Sequence, residues 1–333
     1  MKIALTYNLK EDDQTKPTDY FSEFDSPDTI NAIISALENK GHTVEPINVK
    51  STNLFSYFKN NRVDIVFNIA EGRNGKFREA ELPAVLDYLN IPYTGSNPFA
   101  MGLALNKGLT KKILKSENIP TPSFQIFKKL NEELNPHLKF PLIVKPNLEG
   151  SSKGISLSSV VHDKDSLYRQ IKDTQSLYKQ EVIIEEFIEG KELSVGILEN
   201  GKCKILPILE IDFSPCVKSG EYFYSWRMKE YQGDVELGFL PRMHCPAQLD
   251  KETEDVVKRI AWKTHQLVGC FDFSRTDIRL SKDNIPYVLE INPLPGLNPK
   301  ESNFPLMAYA AGMNYDDLIG AILTNASERI GLN

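Results

Sequence analysis

Within the first hundred residues, short apolar runs alternate with segments of helical spacing, and few folds accept that order. Lys2–Tyr7 reads as a strand. Asp28–Lys40 puts Ile30, Ile33, Ile34 and Leu37 on one helical face, and Gly41 ends it. Thr43–Val49 and Val63–Asn68 read as further strands and Glu79–Leu89 as a helix; Ile91–Thr94 reads as a short strand before Gly95-Ser-Asn-Pro98. Such alternation implies a parallel sheet covered by helices. A dinucleotide site on that sheet needs G-x-G-x-x-G after the first strand. The loop from Asn8 to Lys16 has no glycine, and G-x-x-x-x-G-K-[ST] occurs nowhere in the chain. The first hundred residues therefore offer no obvious phosphate-binding motif.

Asn106–Asn118 has helical spacing and ends before Ile119-Pro120. Residues 124–198 are strand-rich, with strands at Leu142–Lys145, Val182–Glu186 and Leu193–Ile197 and a helix at Lys164–Asp173. Beyond them lie a strand pattern over Lys204–Ile211, a polar-aromatic loop over Tyr222–Gly233, and helices over Lys251–Val268 and Phe304–Ala311. A chain of 333 residues outgrows a single small core and is expected to form two or three subdomains. The net charge of −6, with no long basic run, argues against a nucleic-acid partner. No apolar run approaches the roughly 20 residues that span a bilayer. Met1–Tyr7 is too short for a signal-peptide core, so a cytoplasmic protein with no membrane partner is expected. Cys203, Cys216, Cys245 and Cys270 form no C-x-x-C pair, which excludes zinc spacing and fits reduced thiols.

The chemistry concentrates in residues 275–299, which read as two strands joined by a polar turn at Ser281–Asn284. Alternate side chains share a strand face, so Arg275 pairs with Asp277 and Glu290 with Asn292. Val288, Leu289 and Ile291 supply burial. Oxygen ligands converging in this way suit Mg²⁺, which is commonly held by one or two carboxylates together with substrate phosphates. A solvated surface hairpin is the bland alternative.

Two more segments carry chemistry. In Val144–Ile155 a strand delivers Lys145 into a loop of Glu149, Gly150, Ser151, Ser152 and Gly154. Glycine lets backbone N–H groups approach phosphate oxygens, serine hydroxyls add donors, and lysine offsets charge. An ordinary flexible turn has the same composition. In Ile184–Val195, the stretch Glu185–Ile188 can offer backbone groups and a carboxylate to an amino-heterocycle, and Glu192 can hold a ribose hydroxyl. A strand–turn–strand with exposed acids is the alternative there.

In this order the three segments resemble the ATP-grasp superfamily, and specifically its D-alanine–D-alanine ligase branch. The resemblance runs from the Ile91-Pro-Tyr-Thr-Gly-Ser96 turn to the final helix and is strongest over Asn106–Lys107, Val144–Ile155, Glu185–Val195 and Arg275–Gly296. It implies an α/β fold, α+β in parts, of three subdomains. Residues 1–103 would form an N-terminal parallel-sheet domain, 104–190 the central ATP-grasp subdomain, and 191–333 the C-terminal one with the magnesium and catalytic site. It further implies that Lys107 and Lys145 touch ATP phosphates, and that Glu149, Ser151 and Ser152 belong to the loop closing over them. Glu185, Phe187 and Ile188 would meet adenine, Glu192 the ribose, and Lys229 the γ-phosphate. Asp277, Glu290 and Asn292 would hold two Mg²⁺ ions, with Mn²⁺ as a substitute. Arg275 and the Gly296 N–H would face the reacting carbonyl, with Ser151 and Lys229 assisting. Ser302, three residues before Pro305, would bind the acceptor's carboxylate, although the spacer before it is one residue longer than the family's.

The implied activity is ATP-dependent joining of a carboxylate to an amine through an acyl phosphate, yielding a dipeptide or related amide from small amino-acid or peptide-like substrates. A homodimer is expected on the resemblance alone. Two alternatives stay open, an authentic D-alanine–D-alanine ligase of cell-wall synthesis and a non-ligating ATP-binding regulatory module. The first-substrate region departs from the family. The loop Asn8–Phe24 is longer and polar, with Glu23 out of register for the glutamate that holds the first amino group. The family's H-G…G-E-D-G segment is replaced by Asn68–Ala80, which carries Glu71, Arg73 and Arg78. The arginines suggest a first substrate larger or more acidic than D-alanine; alternatively they pair with Glu71, Glu79 or Glu81.

Overall fold

The computed structural model describes residues 1–11, 13, 15–73, 75–199 and 203–332. Asp12, Gln14 and Asn74, which fall in the two divergent segments, lie outside the described residues. The chain opens with β1 (Lys2–Tyr7), α1 (Pro27–Asn39), β2 (Thr43–Asn48), α2 (Leu54–Asn60), β3 (Ile65–Asn68) and α3 (Arg78–Leu89). β1 lies between β2 and β3 and runs parallel to both, with Ile3 beside Val44 and Ile65. α1 forms where it does because Ser26 accepts from the Thr29 N–H, Pro27 tolerates the first turn, and Ile30, Ile33 and Leu37 turn inward. Ile91–Thr94 makes only one bridging pair, Tyr93 with Val66, rather than a strand. Pro92 removes a ladder donor there.

Helices α4 (Pro98–Leu105) and α5 (Lys107–Ser116) lead to β4 (Phe124–Phe127), β5 (Leu142–Pro146), β6 (Val160–Val161), α6 (Lys164–Tyr178) and β7 (Val182–Glu186). The four strands form an antiparallel sheet in the order β4-β7-β5-β6. α6 seals it by packing Leu167 and Ile171 on Val144, Val182 and Ile184.

The last part holds β8 (Gly190–Glu199), β9 (Cys203–Ile205), β10 (Leu209–Asp212), α7 (Trp226–Glu230), β11 (Arg242–His244), α8 (Lys251–Val268), β12 (Phe273–Ser281), β13 (Pro286–Asn292), α9 (Asn303–Ala310) and α10 (Tyr315–Ile330). Its antiparallel sheet runs β11-β10-β8-β12-β13, with β9 also on β8. The expected strand Lys204–Ile211 is broken into β9 and β10 on either side of Pro207, and the Tyr222–Gly233 loop contains the short helix α7. α8 buries Val257, Ile260 and Ala261 against Leu193, Val195 and Ile278.

The largest core joins both ends of the chain. Ile3, Leu5 and Phe67 of the parallel sheet pack with Phe273, Phe304, Ile319 and Ile322. Residues 1–103 therefore share one core with the C-terminal third and keep a second of their own around Val66, Leu82 and Leu86, and the β4–β7 sheet has a separate one. Burying each such aromatic or aliphatic side chain contributes about 1.5–3 kcal/mol. Among the described residues no helix is long and apolar enough to cross a membrane.

Candidate active site

β12 sits between β8 and β13 and presents one polar face to a cleft of about 710 Å³. Arg275 stands opposite Asn292 and Asp277 opposite Glu290. The register then slips, because Ile278 faces Val288 and Leu289 is left over as a bulge. Bulges bend a strand and re-aim its side chains. Val288 and Ile291 are buried as expected, but Leu289 lines the cleft instead of the core. Arg275 grips Asp277 with two parallel bonds of 2.8 and 2.7 Å. Asp277 also accepts from Ser194 Oγ at 2.7 Å and from Asn292 Nδ2 at 3.0 Å.

Glu290 pairs with Lys107 Nζ at 3.0 Å, across from the end of α4. Burial disfavours charge on Glu290, but Lys107, with Lys145 and Arg275 behind it, holds the carboxyl down at about 2. Lys107 itself is raised against the opposing effect of burial, chiefly by Glu290, and it also donates to the Glu149 carbonyl.

The opposite wall belongs to the β4–β7 sheet. Lys145 reaches Glu185 at 3.0 Å, and Lys111 reaches the other oxygen of that carboxylate at 3.3 Å. Lys111 and Glu185 side chains are each 1% exposed. Burial opposes charge on Glu185, yet the two lysines outweigh it and lower its pKa. Burial dominates at Lys111, whose pKa falls to about 8. Phe187 and Ile188 line the cleft just beyond β7. The Arg279 guanidinium lies 5.4 Å from the Phe187 ring centre and pairs with Glu192 at 3.1 Å. Lys111, Ser194 and Arg279 were not singled out in the sequence. Ser194 and Arg279 carry a signal, since they sit two residues from Glu192 and Asp277 on the same strands; Lys111, on α5, carries none.

Between the walls runs the loop Glu149–Gly154. Ser151 and Ser152 adopt left-handed backbone, with φ of 48° and 58°. Ser151 Oγ accepts from Lys229 Nζ at 3.1 Å, which joins this loop to α7. The polar loop after β1 closes the assembly. Gly150 N–H donates to Glu23 at 2.8 Å, and Gly154 N–H to Asp19 at 3.1 Å. Trp226 Nε1 donates to Ser22 Oγ at 2.6 Å, and Lys10 pairs with Glu230 at 2.8 Å. Lys50 stands over the rings of Tyr20, Phe21 and Phe24, anchoring that loop from its other side.

The divergent segment behaves differently from the expectation of surplus positive charge. Arg73 points away from the cleft, donating to the carbonyls of Val49, at 2.7 Å, and Thr52. Arg78 binds Glu23 at 2.5 Å, Glu149 at 3.3 Å and the Leu148 carbonyl at 2.9 Å. Neither guanidinium is left for a substrate, and the partners differ from Glu71, Glu79 and Glu81. The exception is the Arg73 backbone N–H, which donates to Glu81. Glu71 does line the cleft. Ser302 also lines it, at the start of α9, with its Oγ accepting from the Asn298 N–H at 3.1 Å. A Cβ at Gly296 would come within 2.8 Å of that Oγ and would push the Ser302 hydroxyl from its place.

The cleft thus gathers Lys107, Lys145, Glu149, Ser151, Ser152, Glu185, Phe187, Ile188, Glu192, Lys229, Arg275, Asp277, Glu290, Asn292, Gly296 and Ser302. A family model described as D-ala D-ala ligase C-terminus matches residues 113–324. The D-alanine–D-alanine ligase of Pseudothermotoga lettingae is 35% identical over 88% of this chain and 92% of its own. An uncharacterised protein of Sinorhizobium fredii is 35% identical over 80% of this chain and 75% of its own. Among solved structures, the Bacillus anthracis D-alanine–D-alanine ligase complexed with ATP superposes with a TM-score of 0.76. It is 26% identical and covers 99% of both chains. By these matches the chain belongs to the D-alanine–D-alanine ligase family of ATP-grasp enzymes, which form carbon–nitrogen bonds.

Proposed function

We propose that this enzyme joins a carboxylate substrate to an amine substrate at the expense of ATP, through an acyl phosphate. The observation that carries the reading is the facing of two sets of groups across one cleft. Oxygen donors and Arg275 project from β12 and β13, and Lys107 and Lys145 project from the other side. Relatives named for D-alanine–D-alanine ligation support the reaction class. The differing Asn8–Phe24 and Asn68–Ala80 segments favour a first substrate other than D-alanine.

In this reading, 1–103, 104–190 and 191–333 act as three subdomains, with the second and third closing on ATP. Adenine lies along Glu185–Ile188, where Phe187 gives apolar surface and the chain edge gives polar groups. Glu192 takes the ribose, and Glu149, Ser151 and Ser152 form the lid over the phosphates. Lys107, Lys145 and Lys229 offset phosphate charge. Asp277, Glu290 and Asn292 fit Mg²⁺ because all three offer hard oxygens from adjacent strands. The positive charge at those carboxylates is now supplied by Lys107 and Arg275. Bound there, two Mg²⁺ ions, or Mn²⁺ in their place, would neutralise charge on the transferring phosphoryl group.

A carboxylate oxygen of the first substrate attacks the γ-phosphorus and ADP leaves. The amine of the second substrate, seated by Ser302, then attacks the acyl carbon. The oxyanion that forms is held by Arg275 and the Gly296 N–H, each such donor contributing about 3 kcal/mol. Phosphate departs, the amine loses a proton, and an amide remains. A cytoplasmic homodimer is our inference from the family.

Phosphate release from ATP with panels of single and paired amino acids tests the reading. Release that requires two substrates is expected. ATP binding without release for any pair would instead support a binding module. Asp277→Asn and Glu290→Gln should each abolish turnover, and retained activity in both would sink the metal assignment.

A further inference from the structure

One wall of the cleft carries more carboxyl groups than the reaction above uses. Glu23, Glu71 and Glu79 bring carboxylate oxygens within 4.8 Å of one another, and all three line the cleft. Glu23 is committed to Arg78 and to the Gly150 N–H. Glu79 is only 8% exposed, yet among the described residues its carboxylate has neither a hydrogen-bond donor nor an ion-pair partner. The Glu71 carboxylate has none either; only its backbone N–H is engaged, by Asn8. Asp25 lines the same cleft, and among the described residues its carboxylate likewise has no partner. The nearby cations are already used, Arg78 by Glu23 and Glu149, Lys107 by Glu290, and Lys153 by Glu149 at 2.7 Å.

Clustered carboxylates whose neighbouring cations, Arg78 and Lys107, are paired elsewhere cost folding free energy when they ionise. The strain is visible in their acidities. Burial, then the neighbouring carboxylates, pushes Glu71 well above the usual range. Burial lifts Glu79 to about 7 and Asp25 to about 8. A binding partner that brings positive charge removes this penalty. A metal ion using all three glutamates would have to displace Arg78, which is also held by Glu149 and the Leu148 carbonyl. An ammonium or guanidinium needs only Glu71 and Glu79, and the pairing of Glu23 with Arg78 is the protein's own example of that contact.

We propose that Glu71 and Glu79 form a cation subsite for the carboxylate-donating substrate, which is a basic amino acid or a short peptide carrying an ammonium or guanidinium beyond its α-amino group. An α-ammonium alone supplies one charge, and two free carboxylates beside Asp25 call for more. The inference rests on the ligase reading and reverses the sign of the substrate suggested by Arg73 and Arg78.

The test uses the full-length protein with ATP and Mg²⁺. Phosphate release is compared for arginine against citrulline and lysine against norleucine, in both stereochemical forms, each with a pool of amine acceptors. Calorimetry measures arginine binding independently of turnover. The charged member of each pair should be preferred by about tenfold or more, the effect expected of a desolvated charge-assisted hydrogen bond. Glu71→Gln and Glu79→Gln should each raise KM for arginine roughly ten- to a hundred-fold, with a smaller change in kcat. The arginine-to-citrulline ratio should fall towards one. Thermal midpoints of both variants should be no lower than that of the parent, since repulsion is relieved.

Equal use of the neutral analogues, or a preference that survives the double glutamine variant, overturns the proposal. So does saturable Mg²⁺ or Mn²⁺ binding that excludes arginine and is lost in the same variants. Arginine binding that depends on Glu71 and Glu79, without phosphate release for any pair, upholds the subsite and sinks the ligase reading instead. The absence of both arginine binding and phosphate release overturns the subsite.

Discussion

Replacing Arg78 with methionine should destabilise the protein by about 3 kcal/mol at pH 7, the lower end of what breaking a buried ion pair costs. The side chains of Arg78 and Glu23 are only 11% and 2% exposed. The guanidinium makes bonds of 2.5 and 3.2 Å to Glu23 and 2.9 Å to the Leu148 carbonyl. Without it, Glu23 keeps the Gly150 N–H at 2.8 Å and Lys153 at 3.7 Å, which is why the loss falls at the low end. Glu23→Gln removes the other partner, and the double variant should lose at least about 2 kcal/mol less than the sum of the singles.

The pH dependence has a definite sign. Burial opposes charge on Glu23, but Arg78, then Lys153, lowers its pKa. In the parent this contributes stability that is present above the unfolded carboxylate range and lost only as pH falls through the lowered value. It is therefore constant from pH 7 to 5. In Arg78→Met burial prevails and the pKa rises. Folded Glu23 then binds a proton before the unfolded chain does, so the deficit narrows from pH 7 to pH 5. Urea unfolding followed by tryptophan fluorescence reports the transition; one of the two tryptophans, Trp226, bonds Ser22 beside Glu23. Additive single effects within about 0.5 kcal/mol, or a deficit that does not change with pH, would refute the reasoning.

Three further outcomes follow from the same geometry. Phe187→Ala removes the ring 5.4 Å from Arg279 and should raise KM for ATP about tenfold with a smaller change in kcat, read by ATP titration of phosphate release. Gly108→Ala puts a Cβ 2.5 Å from Ile126 Cδ1 and 3.1 Å from Asn147 Oδ1; overpacking should cost about 1–3 kcal/mol in urea unfolding and disturb the adjacent Lys107. Lys229→Met removes the 3.1 Å contact to Ser151 and should lower kcat roughly tenfold or more, with KM for ATP less affected, in steady-state assays.

Local rules were enough to read the reactive hairpin. Arg275 and Asp277, like Glu290 and Asn292, are two residues apart on a strand, and that spacing puts them on one face. The same rule misplaced Leu289, because a bulge is set by how two strands pair. Helices with an apolar stripe and a cap were equally legible: Lys251–Val268 matches α8 residue for residue, with Asp250 accepting from the Thr253 N–H. α4 was missed because its sequence, Pro-Phe-Ala-Met-Gly-Leu-Ala-Leu, is apolar all round and has no periodicity to detect. α2, with seven residues and one buried side chain, is too short to show any.

The substrate region was least legible, because its electrostatics depend on partners far apart in sequence. Over Asn68–Ala80 the sequence sets Arg73, Lys76 and Arg78 against Glu71 and Glu79, and the two arginines suggest a positive wall. Arg78, however, meets Glu23 fifty-five positions away, and Arg73 spends itself on the Val49 and Thr52 carbonyls. Once those pairings are subtracted, the ionisable groups of the segment left facing the cleft are Glu71 and Glu79. The reaction type is carried by residues two apart on adjacent strands. The substrate's charge is carried by which residues of the loop after β1 fold down onto α3, and only tertiary structure supplies that pairing.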